Sequence, residues 1–212
     1  MTIESTVMNT QQPEIIIDPN TTDGAQLVQA YTHRMVQARK VLDDLDHQMN
    51  EALKVMGHIQ DTISASGQLL TCGNGGSAAQ AMHFSEELIG RFRGNRAPIP
   101  AVCLNADPTA MSCIANDFGF EEVFARQVDG LARQNDTLVV FTTSGKSPNI
   151  IAALKRAKER GCSTVGMLGG DGGPALALCD YSVVIPGTDS AAIQEGHQTL
   201  IHACCEVLEH HA

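Results

Sequence analysis

Two different patterns of hydrophobic positions divide the chain near Gly67. Between residues 25 and 66, apolar residues recur at spacings of three, four and seven, as at Leu27, Tyr31 and Met35, which predicts amphipathic helix. The stretch could form one long helix or two, and its apolar face needs a partner within the fold or in another subunit. Residues 1–24 are polar and without period, which predicts a flexible leader.

From residue 67 to residue 212, short apolar runs alternate with helical patterns. The predicted strands are Leu69–Cys72, Ala101–Leu104, Thr137–Thr142, Thr164–Leu168 and Tyr181–Ile185. The predicted helices are Ser77–Gly90, Thr109–Asn116, Glu121–Gln127, Pro148–Glu159 and Ser190–His210. This alternation predicts a single α/β domain in three layers, with a parallel sheet between helices and a ligand at the carboxyl ends of the strands.

Charge and composition exclude several classes of protein. The net charge is −10 without a cluster of Lys or Arg, which argues against a nucleic-acid surface. No apolar run approaches the ~20 residues of a membrane span, and the first residues do not read as a signal peptide. Seven cysteines without a C-x-x-C spacing predict reduced thiols and a cytoplasmic location.

The first candidate site is the loop Cys72-Gly73-Asn74-Gly75-Gly76-Ser77, which directly follows a predicted strand. Its glycines allow the backbone to approach a ligand closely. Ser77 is placed to cap the next helix, whose free N–H groups would then face an anion. A tight turn without a ligand explains the loop equally well.

The second candidate site is the loop Thr142-Thr143-Ser144-Gly145-Lys146-Ser147, which follows another predicted strand. Pro148 suits the first position of a helix that Ser147 would cap. A cap needs one hydroxyl, whereas this loop carries four. The excess favours a phosphate site, in which hydroxyls, backbone N–H groups and the helix dipole hold the anion.

Two helices carry residues with metal-ligand spacing. His83 and Glu87 are four positions apart, and Gln194 and His202 are eight apart, so each pair shares one side of its helix. Such side chains could form a four-ligand Zn²⁺ site. A His/Glu pair at this spacing is also a common surface pair, but His83 lies just after the glycine-rich loop and therefore near the same strand ends.

Together the two loops resemble the sugar isomerase (SIS) family of phosphosugar-binding domains, which implies a flavodoxin-like fold. The longer series CGNGGS, H-F-x-x-E, N-D-F-G-F, T-S-G-x-S and I-Q-E-x-H-x(4)-H resembles the phosphoheptose isomerases within that family. The resemblance implies that His83, Glu87, Gln194 and His202 bind Zn²⁺, and that Glu87 and His202 serve as acid and base. It implies these substrate contacts: Asn74, Gly75, Gly76, Ser77, Asn116, Asp117, Thr142, Thr143, Ser144, Ser147 and Gln194.

The resemblance also implies a reaction and an assembly. It implies conversion of sedoheptulose 7-phosphate to D-glycero-D-manno-heptose 7-phosphate through an enediol, with one Zn²⁺ per subunit of a homotetramer whose active sites lie between subunits. The alternative is a non-catalytic relative, such as a sugar-phosphate sensor or a replication-initiator-binding regulator. Such a relative is expected to lack Glu87 and His202. A zinc hydrolase or a nicotinamide dehydrogenase is disfavoured, because the chain has neither H-E-x-x-H nor G-x-G-x-x-G.

Overall fold

A computed structural model describes residue 18 and residues 20–209 of the chain. Two compact units are distinguished, one ending at Val36 and one beginning at Gln37. Most of the predicted flexible leader, residues 1–17 and 19, lies outside the described residues, although the first helix already begins at Thr22. Within the described residues, no helix has the length and apolar character needed to cross a membrane.

The helical and strand elements alternate as the hydrophobic pattern predicts. The helices are α1 Thr22–His47, α2 Met49–Ser64, α3 Gly76–Ile89, α4 Pro108–Phe118, α5 Ala125–Leu131, α6 Pro148–Glu159, α7 Gly173–Leu176 and α8 Ser190–Glu209. The strands are β1 Leu69–Gly73, β2 Ala101–Cys103, β3 Thr137–Thr142, β4 Ser163–Gly169 and β5 Tyr181–Ile185. The N-terminal helical stretch is thus two helices, separated at Gln48, whose φ of −98° and ψ of 7° depart from helical values.

The strands of the described residues form one parallel sheet in the order β2-β1-β3-β4-β5. This confirms the predicted α/β fold with a flavodoxin-like strand order. The order reverses between β1 and β3, because β2 lies on one side of β1 and all later strands lie on the other. Ligands of such sheets bind at this switch point, outside the carboxyl ends of the strands.

Two apolar cores lie on opposite faces of the sheet. Side chains of a strand alternate between faces, so Val139 and Phe141 join one core while Leu138 and Val140 join the other. Helices α2, α3 and α8 cover the first core, and α5 and α6 cover the second. The sheet is therefore buried on both faces, as expected for a parallel sheet between helices.

Two local predictions on the second face were incomplete. The stretch Glu121–Gln127, predicted as one helix, is a 3₁₀ turn at Phe120–Glu122 followed by α5. The short helix α7 was not predicted, because Gly172, Gly173 and Pro174 read as a turn in the sequence. It follows β4 and packs beside the hydroxyl-rich loop, where Ala175 donates its N–H to the Gly145 carbonyl at 3.1 Å.

Candidate metal centre and phosphosugar site

The glycine-rich loop follows β1 and leads directly into α3. Gly75 has φ of +56° and occupies the N-cap position, without a side-chain capping bond. The prediction that Ser77 caps the helix is therefore wrong: Ser77 lies within the first turn and is buried. Glycine adopts this left-handed conformation without the strain that a side chain adds, so the chain turns into the helix before Ser77.

Two amide pairs fasten this loop to its neighbours. Asn105, which follows β2, accepts the Gly73 N–H at 3.1 Å and donates to the Gly73 carbonyl at 3.0 Å. Asn74 and Asn149 donate to each other at 2.8 and 2.9 Å. Because Asn149 is buried in the first turn of α6, the second pair joins the two predicted ligand loops across the switch point.

The hydroxyl-rich loop after β3 is folded by one of its own threonines. Thr142 is buried and its Oγ1 accepts the Gly145 N–H at 3.1 Å. Gly145 has φ of +63°, and a Cβ there would overlap the carbonyl oxygen of Gly172. Ser147 stands at the N-cap of α6 but makes no side-chain capping bond, so its hydroxyl is not used as the cap that the sequence predicted.

A cavity of about 500 Å³ opens beside this loop. Thr143, Ser144 and Lys146 line it from the loop. The opposite wall comes from residues that follow β4 and β5 or begin α8, and that sequence analysis missed: Gly170, Asp171, Gly187, Thr188 and Ser190. Thr143 Oγ1 and Ser190 Oγ are 3.2 Å apart. The hydroxyls and the Lys146 ammonium group suit an anion, whereas the Asp171 carboxylate in the opposite wall does not.

The candidate metal ligands of α3 and α8 converge. His83, Glu87 and His202 each place one ligand atom within 4.8 Å of the others. His83 Nε2 lies 2.9 Å from Glu87 Oε1, and both side chains are partly buried. Two imidazole nitrogens and one carboxylate oxygen form a donor set that Zn²⁺ accepts. The three residues could therefore hold a metal ion.

Helices α3 and α8 run in parallel, and this direction brings the ligands together. Gln80 donates to the Gln194 carbonyl at 2.7 Å, while His83, further along α3, meets residues further along α8. Helix α3 is itself held on β1 by Thr71, which donates to the Ala81 carbonyl at 2.9 Å. The candidate metal ligands are thus positioned by regular elements rather than by loops.

Two glutamines of α8 face α3 at different levels. Gln194, predicted as a metal ligand and substrate contact, packs its amide against Gly76, where a Cβ would overlap it. Gln198, which sequence analysis missed, lies between the two imidazoles, with its Nε2 at 2.8 Å from His83 Nδ1 and 3.0 Å from His202 Nε2. Its position one turn before His202 on the same face was the available signal.

The segment after α3 packs beside the candidate metal centre. The Phe92 ring lies 5.6 Å from the His202 ring, centroid to centroid. Arg96 donates to the carbonyls of Glu87 at 2.7 Å and Leu88 at 2.9 Å, as basic side chains do at helix C-termini. Glu209 at the end of α8 accepts the Arg93 N–H at 2.7 Å. These contacts hold the segment on both helices that carry the ligands.

Asn116 and Asp117, predicted as substrate contacts, lie on the exposed side of α4. Asn116 Nδ2 donates to Asp117 Oδ1 at 2.8 Å, and Cys113 Sγ lies 3.6 Å from Asp117 Oδ2. Among the described residues, no hydrogen bond or ion pair joins them to the glycine-rich or hydroxyl-rich loop. These two predicted contacts therefore lie apart from the two loops at the switch point.

Comparison with known proteins agrees with this geometry. The SIS domain family matches residues 31–169. A phosphoheptose isomerase of Geobacter sulfurreducens is 40% identical over 184 residues, which cover 86% of this chain and 97% of the relative. One from Pelobacter propionicus is 48% identical over 142 residues, or 67% of this chain and 75% of the relative.

A solved structure extends the agreement to three dimensions. The phosphoheptose isomerase of Neisseria gonorrhoeae aligns with a TM-score of 0.79 and 34% identity, covering 88% of this chain and 98% of that one. The sequence motifs, the strand order and the full-length relatives therefore lead to one assignment. This chain belongs to the SIS-domain family and, within it, to the phosphoheptose isomerases.

Proposed function

We propose that this protein is an aldose–ketose isomerase that interconverts sedoheptulose 7-phosphate and D-glycero-D-manno-heptose 7-phosphate, the first step of nucleotide-activated heptose synthesis. The observation that carries the proposal is the convergence of His83, Glu87 and His202 on the helices that flank the glycine-rich loop. A candidate general acid and base thereby lie on α3 and α8, and α8 begins at Ser190 in the wall of the cavity that suits a phosphate.

The phosphate end of the substrate is proposed to bind the hydroxyl-rich loop. Thr143 and Ser144 line the cavity, and Thr142 shapes the loop through its bond to Gly145. Ser147 and the first N–H groups of α6 complete the anion site, since a helix N-terminus favours negative charge. Binding energy from this remote group orients the reacting carbons at the other end of the sugar.

The reacting end is proposed to lie between the glycine-rich loop and α8. The backbone at Asn74, Gly75, Gly76 and Ser77 and the amide of Gln194 provide polar groups there. Gln194 packs against Gly76, so the loop and the amide form one surface. The open chain form of the sugar would place its carbonyl carbon near Glu87 and His202.

One Zn²⁺ per subunit is proposed, held by His83, Glu87 and His202. Gln194 is the fourth ligand that the resemblance implies, and its amide, which packs against Gly76, would have to turn toward the imidazoles to join them. A bound Zn²⁺ would polarise the sugar carbonyl and stabilise negative charge on its oxygen. Because a metal ligand is a weakened base, we further propose that Glu87 or His202 loosens from the metal when substrate binds. A substrate complex in which both residues keep full coordination would contradict this step.

Proton transfer follows from the placement of the two groups. Glu87 removes a proton from C1 of the ketose, which gives the enediol, and returns a proton to C2 to give the aldose. His202 moves protons between the two oxygens, since an imidazole donates and accepts near neutral pH. The net change exchanges one C–H and one O–H between neighbouring carbons, so no external oxidant or reductant is needed.

A homotetramer with active sites between subunits is proposed because one subunit leaves part of the predicted site apart. Asn116 and Asp117 are exposed on α4, beside the exposed aromatic residues Phe118 and Phe120. A second subunit placed on this surface would bring these residues to a neighbouring site. Light scattering of the purified protein measures the mass, and a monomer that is fully active would contradict the proposal.

The free thiols support a cytoplasmic location.

The decisive experiment follows the reaction by NMR. The zinc-loaded protein is incubated with sedoheptulose 7-phosphate in D₂O, and an aldoheptose 7-phosphate that carries deuterium at C2 is expected. Glu87→Gln should bind substrate without turnover, whereas Glu86→Gln, on the exposed side of α3, should remain active. Folded, zinc-loaded protein without turnover would refute the assignment, and an active Glu87→Gln variant would remove Glu87 from the mechanism.

A further inference from the structure

Asn149 holds the side-chain amide of Asn74 in one orientation. Asn74 Nδ2 donates to Asn149 Oδ1 at 2.8 Å, and Asn149 Nδ2 donates to Asn74 Oδ1 at 2.9 Å. Asn149 Oδ1 also accepts the Ile150 N–H at 3.0 Å. A backbone N–H can only donate, so the atom that meets Ile150 must be the oxygen of Asn149. The orientation of the Asn149 amide is thereby fixed, and the Asn74 amide has to match it.

The backbone around Asn74 is held without help from Asn149. Asn105 accepts the N–H of Gly73 at 3.1 Å and donates to its carbonyl at 3.0 Å. The Ser77 N–H donates to the Asn74 carbonyl at 3.0 Å. Among the described residues, the Asn74 amide bonds to no side chain other than Asn149. The direction of this amide therefore depends on Asn149, whereas the position of its backbone does not.

The pair leaves half of the Asn74 amide unused. An amide group has two N–H donors and an oxygen with two lone pairs, and the pairing with Asn149 takes one N–H and one lone pair. Asn74 is half-buried, whereas Asn149 is 2% exposed, so a ligand can contact Asn74 but not Asn149. The free N–H and the free lone pair of Asn74 suit a hydroxyl group, which both donates and accepts.

We propose that Asn149 is a positioning residue for sugar binding, which fixes the direction of the Asn74 amide so that a hydroxyl of the sugar finds its donor and its acceptor in place. Asn149 lies in the first turn of α6, where the phosphate is proposed to bind. The amide pair thus holds the glycine-rich loop, near the reacting end of the sugar, in a fixed relation to the phosphate site. This inference rests on the sugar-phosphate site of the proposed function.

The loss of Asn149 should weaken sugar binding only while Asn74 is present. Asn149→Leu keeps the number of heavy atoms, brings no charge near the phosphate and offers neither a donor nor an acceptor. The KM for sedoheptulose 7-phosphate should rise about tenfold with kcat nearly unchanged, because these hydrogen bonds hold the substrate and the transition state alike. In the Asn74→Ala background, Asn149→Leu should change KM by less than about twofold, since its effect passes through Asn74.

The affinity for inorganic phosphate distinguishes positioning from damage to α6. Calorimetry uses the full chain in the Glu87→Gln background, which is expected to bind substrate without turnover, with and without Asn74→Ala. Asn149→Leu should raise the Kd of sedoheptulose 7-phosphate about tenfold. The Kd of inorganic phosphate should stay within about twofold, because the hydroxyl-rich loop keeps its own hydrogen bonds.

Asn135→Leu is the matched control, because it makes the same change at an exposed residue that precedes β3. Both dissociation constants should be those of the protein with Asn135. Circular dichroism checks the fold of each variant. If Asn149→Leu does not fold, Asn149→Ala removes the same polar groups without adding apolar volume and takes its place.

The outcomes separate the positioning role from the isomerase assignment. Equal losses of sugar-phosphate affinity with and without Asn74→Ala would overturn the positioning role, as would an equal loss of affinity for inorganic phosphate. A protein that shows the expected coupling in binding but no turnover keeps this role and counts against the isomerase assignment. An active protein whose KM ignores residue 149 refutes the positioning role alone.

Discussion

His197 is a buried titratable group that should make stability depend on pH. It lies in α8 between Gly196 and Gln198, is fully buried, and its Nε2–H donates to the Leu168 carbonyl at 3.1 Å. Its ring packs edge-on against Phe141, with centroids 6.1 Å apart. Burial lowers the pKa of His197 from 6.5 to about 4, because the charged imidazolium would lose its hydration.

The sign of the effect follows from proton binding. Above pH 6.5 neither the folded nor the unfolded chain protonates this ring, so its stabilising contribution is complete. Below pH 6.5 His197 is protonated in the unfolded chain, whereas in the folded chain it stays neutral down to about pH 4. Between these values the free energy of unfolding falls by about 1.4 kcal/mol for each pH unit. The total loss across this interval is about 3 kcal/mol.

Urea unfolding of metal-free protein tests this linkage against His197→Gln, whose amide keeps a donor at the position of Nε2. Between about pH 7.5 and pH 5, the unaltered protein should lose roughly 2 kcal/mol more unfolding free energy than the variant. All other titrating groups are common to both proteins and cancel in the difference. A difference below about 0.5 kcal/mol, or one of opposite sign, would refute a neutral buried His197.

Three further changes test the loops and the segment that frame the site. Gly145→Ala should destabilise the protein by more than the roughly 1–2 kcal/mol of left-handed strain, since its Cβ also meets the Gly172 carbonyl; a thermal melt with unchanged midpoint would contradict this. Asn149→Leu leaves the Asn74 amide unpaired, so the free energy of unfolding measured by urea titration should fall by about 1–3 kcal/mol. The KM for the sugar phosphate, measured by steady-state kinetics, should rise. Arg96→Met should leave the Glu87 carbonyl without its side-chain donor, while Leu88 keeps the Ile99 N–H. The expected loss is about 1–2 kcal/mol, which hydrogen exchange would detect as faster exchange at the end of α3.

The sheet and its ligand loops could be predicted because each depends on local sequence. The β3 strand, for example, is a run of apolar residues that ends at Thr142. Helix α6 begins at Pro148, because proline is preferred at the first position of a helix. The predicted Ser77 cap failed because the positive φ of Gly75 starts the helix earlier than a serine cap would. Helix α7 could not be predicted, because four residues are too few to show the periodicity of a helix.

The details of the candidate metal centre depend on how α3 and α8, which are distant in sequence, are aligned with each other. Periodicity places His83 on α3 and His202 on α8, but not their relative heights. Only the parallel packing of the two helices decides that Gln198, rather than Gln194, meets both imidazoles. The far wall of the cavity was accessible in principle, because Gly170 and Thr188 follow strands that had been predicted and strand ends gather at one edge of the sheet.

The division of the candidate metal centre between two helices has a consequence for how the protein matures. His83 and Gln198 are 115 positions apart in the chain, so their contact closes a long loop and forms only after the intervening strands have assembled. A nascent or partly folded chain therefore offers no complete centre to capture a metal ion. Binding of a metal ion by these residues would therefore be coupled to the completion of folding, and it would stabilise the folded state alone.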